Sequence, residues 1–363
     1  MRRSYRILPV YAGDVSGACS ALFELGGMVV IHDPSGCNST YNTHDETRWY
    51  DHDSLVFISA LRERDAILGN DDKLVRDTVD TALELNPRFV ALCNSPIPFI
   101  TGTDFAALCK KIESQTGIPC FYVATNGMHD YVVGAGNAFA ALAERFVQPR
   151  EKRADTINIL GATPLDLGLA GPDHLRAWAD AAGFAVTSCW AMGSTLDELS
   201  RAAEAQVNVV VSATGLAVAR QLRKHFGIPY VVGTPVGAFA EPLARAVRQA
   251  AAMGTCAWPC RDLRTAETND TRVIIGEPVA ASSEAASLEL SGERPPRVVC
   301  PLEASRELLA PSDVLADGEE DIEAACAEAR LVYADAFYRE VLPADVQLVP
   351  RPHLAFSGRN ALV

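Results

Sequence analysis

CSALFELGGMVVIHDPSGC, running from Cys19 to Cys37, decides how the rest of the chain is read. A helix-like run leads from Cys19 to Gly26-Gly27. Met28-Val29-Val30-Ile31 is a short apolar strand. His32-Asp33-Pro34-Ser35-Gly36-Cys37 then turns into a following helix. A thiol at such a turn meets free backbone N–H groups and the positive end of a helix dipole, and both favour a thiolate. Cys93 closes a later strand, Arg88 to Cys93, in the same way.

The same grammar recurs outward from this stretch. Strands are predicted over Leu55 to Leu61 and Cys120 to Ala124, with helices after Gly69 and after Gly102-Thr103-Asp104. Asn94 to Pro98 reads as an extended loop. The polar run Asn38 to Tyr50 reads as a helix whose His44, Asp45, Glu46 and Arg48 face solvent, a substrate or a partner. After the charged, proline-bearing linker Gln148 to Arg153, strands restart at Thr156, Phe184, Asn208 and Tyr230. They restart again at Arg272, Arg297, Leu331 and Gln347. Gly117-Ile118-Pro119 and Gly227-Ile228-Pro229 each close a helix and open a strand, a faint internal repeat. Strands spaced by helices of 10–15 residues mean βαβ units and parallel sheets. The expected fold is α/β, with three Rossmann-like open parallel-sheet domains at 1–152, 153–262 and 263–363.

Composition narrows the class. The 363 residues are 48% hydrophobic, which suits a globular chain, and the formal charge of −14 argues against nucleic acid or an anionic membrane as partner. No apolar run reaches the ~18 residues of a membrane span. The opening MRRSYRILPVYAGDVSG lacks the apolar centre of a signal peptide, so a cytoplasmic location is expected. Ten cysteines in that setting are not a disulfide framework. Cys109, Cys120, Cys189, Cys300 and Cys326 lie in apolar segments and read as core. Cys256 and Cys260 sit one helical turn apart beside Pro259, and read as packing before metal.

Ligands of open parallel sheets sit beyond the carboxyl ends of the strands. Cys37 and Cys93 fall there, and Cys19 can fold back to that edge. Their separations of 18 and 56 residues match neither a ferredoxin run nor a zinc ribbon. Spacing therefore leaves two readings open: ligands of an iron–sulfur cluster, or small apolar core residues. Three sulfurs are one short of the four that hold a cubane, so a cluster here would need a second chain.

Ordered motifs carry a family resemblance. Gly17-Ala18-Cys19 is followed by His32-Asp33-Pro34-Ser35-Gly36-Cys37, which resembles H-G-P-x-G-C. Leu68 to Leu74 resembles a G-G-x-x-K-L segment. Cys93 with Gly102-Thr103-Asp104 resembles C-P-x-x-x-G-D-D, and Phe226 to Tyr230 resembles Y-G-I-P-Y. Together they resemble the nitrogenase component 1 superfamily. That superfamily spans the molybdenum–iron protein subunits, their cofactor-scaffold homologues, dark-operative protochlorophyllide reductase and the F430-pathway reductive cyclase. In length the chain is nearer the cyclase.

The resemblance implies that Cys19, Cys37 and Cys93 hold an iron–sulfur cluster, [4Fe–4S] or larger and P-cluster-like, shared between two chains. The second chain would be another copy or a related component 1 subunit. A P-loop iron–sulfur ATPase would act as reductase, since this chain carries no G-x-x-x-x-G-K-[ST] and no G-x-G-x-x-G after a strand. Electrons would pass to a small-molecule substrate or second metallocofactor in an inter-domain cavity lined by His353, Ser212 and the Gly161-Ala162-Thr163 loop. Ser212 falls where the superfamily has the cysteine that anchors the molybdenum cofactor, so dinitrogen reduction is not expected. His353 falls near its cofactor histidine. Two alternatives stand beside this oxidoreductase role: a scaffold for metallocluster assembly, and a non-catalytic partner of a related subunit.

Overall fold

The structure, a computed structural model, describes residues 5–35, 45–264 and 268–358. Strands β1 (Met28–His32), β2 (Leu55–Ile58), β3 (Val90–Asn94) and β4 (Cys120–Val123) form a sheet ordered β2-β1-β3-β4. Strands β5 (Thr156–Leu160), β6 (Ala185–Trp190), β7 (Val207–Val210) and β8 (Tyr230–Val232) repeat that order as β6-β5-β7-β8. The third sheet contains β9 (Asn269–Ile275), β10 (Pro296–Cys300), β11 (Val314–Leu315), β12 (Leu331–Ala334) and β13 (Gln347–Pro350), ordered β11-β10-β9-β12-β13. Every pairing within the sheets is parallel, so the chain has the expected α/β fold with three open parallel sheets. In each, the order reverses beside the first strand, at β1/β3, β5/β7 and β9/β12. The loops leaving those strands diverge and leave a crevice at the carboxyl ends.

Strand alternation gives the first sheet two different faces. Met28, Val30, Val90 and Leu92 pack under helices Asp72–Leu85 and Phe105–Thr116. Val29, Ile31, Ala91 and Cys93 face helices Asp14–Leu22 and Tyr131–Phe146. The second face belongs to one apolar core that runs on through the other two sheets. Burial on both faces is why the strands are nearly continuous in Val, Ile and Leu.

Some elements differ from expectation. The first-sheet strand read to Leu61 stops at Ile58. Asn94 to Pro98 is not an extended loop: Pro96, fixed in φ and needing no N–H partner, starts the helix Pro96–Thr101. The helix Tyr131–Phe146 was not legible as such. Its first two turns are apolar and small-residued, with Gly134 and Gly136 inside, and its charged residues Glu144 and Arg145 come only in the last turn. Among the described residues no helix is long and apolar enough to cross a membrane.

That helix crosses Asp14–Leu22 at backbone contact. A Cβ on Gly134 would lie 1.7 Å from the Asp14 carbonyl oxygen, and one on Gly17 would lie 2.2 Å from that of Tyr131. The buried Asp14 carboxylate ties the same corner together by accepting the Asn126 and Gly127 N–H groups, both at 2.8 Å. The amino-terminal segment meets the far end of the chain: Ala12 N–H donates to Ala355 at 2.7 Å, and Tyr11 stacks on Phe356 at 4.3 Å.

Gly134→Ala is therefore expected to force the two helices apart, since the obstructing atoms are backbone and cannot rotate away. A loss of at least about 2 kcal/mol is expected in denaturant unfolding. Gly69→Ala has open space around its Cβ, though φ is +62°, and serves as the control for strain without a clash.

Candidate metal centre

Cys19 lies on the Asp14–Leu22 helix and Cys93 near the end of β3, in register with Ile31 of β1. Both are fully buried, and their thiols are hydrogen-bonded to each other. That bond, then burial and the nearby Glu46, push the Cys19 thiol well above its ordinary range. Cys19 is thus favoured as a thiol until a cation replaces its proton. The structure brings two of the three candidate cysteines together at the β1/β3 crevice. Cys37 lies outside the described residues, as does His44. Among the described residues no group of three or more His, Cys, Asp or Glu is arranged to hold a metal ion.

The residues flanking that segment are firmly held. On one side Ser35, at φ +91°, donates its N–H to Asp33 Oδ2 at 2.8 Å. His32 Nδ1 meets Ser59 Oγ at 2.7 Å, and burial pushes its imidazole down to about 4, so it is neutral at pH 7. On the other side Asp45 accepts Ser16 Oγ at 3.0 Å. Arg48 bonds Glu46 through Nε at 2.8 Å, Glu24 through Nη1 at 2.9 Å and the Ser20 carbonyl through Nη2 at 2.6 Å. Its guanidinium lies over Phe23, and Nη1 reaches Ala191 O across to the second sheet. Asp45, Glu46 and Arg48 are buried, contrary to the solvated or partner-facing helix read from sequence. They clamp the chain onto the helix of Cys19, at Ser16 and Ser20.

Just past Cys93, two polar side chains are buried with an unmet atom. Asn94 Oδ1 and Ser95 Oγ have no hydrogen-bond partner among the described residues. The other cysteines read as core are buried, with Cys109 and Cys120 hydrogen-bonded to each other between helix Phe105–Thr116 and β4. Cys260 is buried, and Cys256 accepts the Tyr230 N–H at 3.5 Å.

The second set of candidates meets where the second and third crevices face each other. Gly161 follows β5 and Ser212 follows β7. Ser212 Oγ donates to Gly161 O at 2.7 Å and shares a 2.7 Å bond with Thr214 Oγ1. Asp166, three residues past Thr163, accepts Thr163 Oγ1 at 2.7 Å and Tyr131 Oη at 2.5 Å. Glu277, at the end of β9, accepts Ala213 N–H at 2.8 Å and Ala280 N–H at 2.7 Å. His353 donates its N–H to Asp335 at 2.8 Å, and its ring lies 6.2 Å from that of Tyr131. Sequence reading missed Tyr131, Asp166, Glu277 and Asp335. Their local signals were Thr163-Pro164 and Glu277-Pro278, each a cap followed by proline at a helix start. A separate groove of about 900 Å³, lined by Phe23, Glu24, Trp49, His52, Ser54 and Thr195, opens at the amino end of the first sheet. It lies away from both sets of candidates.

Residues 14–252 match the family described as nitrogenase component 1 type oxidoreductase. The chain belongs to this family. Over 216 residues it is 26% identical to the nitrogenase iron-molybdenum cofactor biosynthesis protein NifE of Clostridium pasteurianum, covering 56% of this chain and 45% of that one. Over 218 residues it is 27% identical to a subunit of the light-independent protochlorophyllide reductase of Prosthecochloris aestuarii, covering 57% and 39%. The chain thus spans less than half the length of these relatives. The solved structure titled "Nitrogenase Cp1 at pH 6.5" shares the fold, with a TM-score of 0.72 at 16% identity, over 99% of this chain and 92% of that one.

In this component 1 type chain, Asp166 and Glu277 are two buried carboxyls with no ion-pair partner among the described residues. The groups facing them are Tyr131 from its helix, with Asp130 behind it, Cys260, and each other. Burial, then the charge of Asp166, pushes Glu277 from an ordinary 4.5 up to about 8, and burial raises Asp166 too. Between those two values the folded chain binds a proton that the unfolded chain has lost, so stability falls as pH rises towards 8. In Glu277→Gln this term is absent. From about pH 6 to about pH 8, wild type should lose about 2 kcal/mol relative to the variant. Paired thermal melts across that range check the sign and the size.

Proposed function

We propose that this chain is a component 1 subunit whose Cys19, Cys37 and Cys93 hold an iron–sulfur cluster, [4Fe–4S] or larger, shared with a second chain. The observation that carries this reading is the pair of hydrogen-bonded buried thiols, Cys19 and Cys93, at the crevice of the first sheet. The donor set fits the group: soft sulfur ligands, followed by a buried Ser95 hydroxyl with no partner among the described residues. When bound, the cluster supplies a one-electron relay. The chain's own part is to hold the sulfurs in a dry, rigid setting between two helices in backbone contact.

A second chain is supported by the surface beside that crevice. Helices Glu63–Leu68 and Pro96–Thr101 follow β2 and β3 and pack together, exposing Ile67, Leu68, Ile97, Phe99 and Ile100. Ile100 is 78% exposed and Ile67 74%, an apolar patch of the kind a partner subunit covers. The partner would be a second copy or a related component 1 subunit. Electrons would come from a P-loop iron–sulfur ATPase and pass towards the junction of His353, Ser212, Gly161 and Asp166, where a substrate or second metallocofactor would be met. The buried, proton-holding carboxyls there suit a reduction that consumes protons along with electrons.

A second reading is an assembly scaffold that builds a metallocluster and passes it on. It is favoured by relatives named for iron-molybdenum cofactor biosynthesis.

After anaerobic reconstitution with iron and sulfide, the full chain should be brown and should sediment as a dimer or co-purify with a related subunit. Cys19→Ala and Cys93→Ala should each lose most of the bound iron while melting cooperatively. A colourless wild-type chain would overturn the cluster reading. Iron that stays with the chain through repeated reduction and oxidation favours the relay, and iron released to an apo acceptor protein favours the scaffold.

A further inference from the structure

Ser95 stands where a helix cap is expected and does not act as one. It is the residue before the helix Pro96–Thr101, and its side chain accepts no hydrogen bond from that helix. It is 0% exposed, and its Oγ has no partner among the described residues. Among the described residues the eight other buried serines, Ser16, Ser20, Ser188, Ser194, Ser212, Ser282, Ser283 and Ser287, all make hydrogen bonds. A buried hydroxyl left unmet costs about 1–3 kcal/mol, so its retention calls for a ligand or an ordered water.

The backbone says which way it points. Ser95 has φ −105° and ψ 175°, so the chain is still extended there and strand alternation continues through it. Ala91 and Cys93 face the helix of Cys19, and Ser95 is next on that face. Asn94 falls on the opposite face, near Tyr122. The unmet hydroxyl therefore belongs to the same side of the sheet as the Cys19–Cys93 thiol pair, one alternation further towards the crevice.

We propose that Ser95 Oγ–H donates a hydrogen bond to a sulfur of the iron–sulfur group held by Cys19 and Cys93. This rests on the cluster reading above. A hydrogen bond to a cluster sulfur stabilises the more electron-rich state and raises the reduction potential. No bond is made or broken beyond the hydrogen bond itself, and Ser95 keeps its proton.

The test uses the full chain in its oligomeric state, without cluster and after anaerobic reconstitution, as wild type, Ser95→Ala and Ser95→Thr. Without the cluster, Ser95→Ala should melt at or above the wild-type temperature, because an unmet buried hydroxyl has been removed. With the cluster, Ser95→Ala should show a lower midpoint potential in a redox titration and gain less melting temperature on loading than wild type does. Ser95→Thr, which keeps the hydroxyl, should restore both. An unchanged potential at full iron content would overturn the proposal. So would a clear drop in cluster-free stability, which would mean that a bound water already meets the hydroxyl. A wild-type chain that takes up no cluster overturns the parent reading, and that result is visible before any variant is compared.

Discussion

The backbone contact between Gly17 and Gly134 governs this molecule. Side chains at either position would hold the helices apart, and their absence lets Asp14–Leu22 and Tyr131–Phe146 cross at carbonyl distance. Two consequences follow from one crossing. Cys19, two residues beyond Gly17, is pressed against Cys93 of β3. Tyr131, three residues before Gly134, is aimed the other way, and its hydroxyl reaches Asp166 in the second unit. A single packing decision thus positions a residue of each candidate site. Disturbing it should disturb both, whatever side chains line them.

Buried charge is handled in two different ways around this crossing. Between the first and second sheets, Arg48 is wrapped by Glu46, Glu24 and the Ser20 carbonyl, so opposite charges meet with close hydrogen bonds. Removing one partner from such a set is far more damaging than its net contribution suggests. At the junction of the second and third crevices no cation pairs with Asp166 or Glu277 among the described residues, and the two face each other across Ser212 and Ala213. Two carboxylates cannot both ionise in that setting, so a proton does what Arg48 does elsewhere. In the second arrangement, burial and the charge of Asp166 push Glu277 up to about 8.

The repeated parallel sheets were legible in the sequence because strands covered on both faces must be apolar, and the glycine and proline punctuation between them is local. Cys19 and Cys93 were legible as candidates by their place at strand and helix ends, although their mutual contact was not. What stayed hidden depended on long-range packing. Helix Tyr131–Phe146 is small-residued and buried along most of its length, with Gly134 and Gly136 inside, so its pattern reads poorly as a helix. Asp45, Glu46 and Arg48 looked like a solvated helix because three charges close together usually are. Arg48 is matched by Glu24 and Ser20, and Asp45 by Ser16 and Ser357, all more than twenty residues away. Tyr131, Asp166 and Glu277 come from three separate stretches and share no spacing that a sequence pattern could reveal.

Ser212 shows how a departure from a family pattern acquires a physical meaning only in the fold. As a residue in a motif, it stands where the resemblance implies a cofactor-anchoring cysteine. In the structure its hydroxyl donates to the carbonyl of Gly161, shares a second bond with Thr214, and stands beside Asp166. A thiol would make those short bonds poorly, being larger and a weaker donor. Serine therefore suits a polar junction, in which carbonyl, hydroxyl and carboxyl groups satisfy one another. Beyond the carboxyl ends of β5 and β7 these hydrogen bonds tie the Gly161 and Ser212 loops to each other. The buried thiol pair lies at the first sheet, whereas the junction of the second and third sheets is built from hydroxyls, carbonyls and carboxyls.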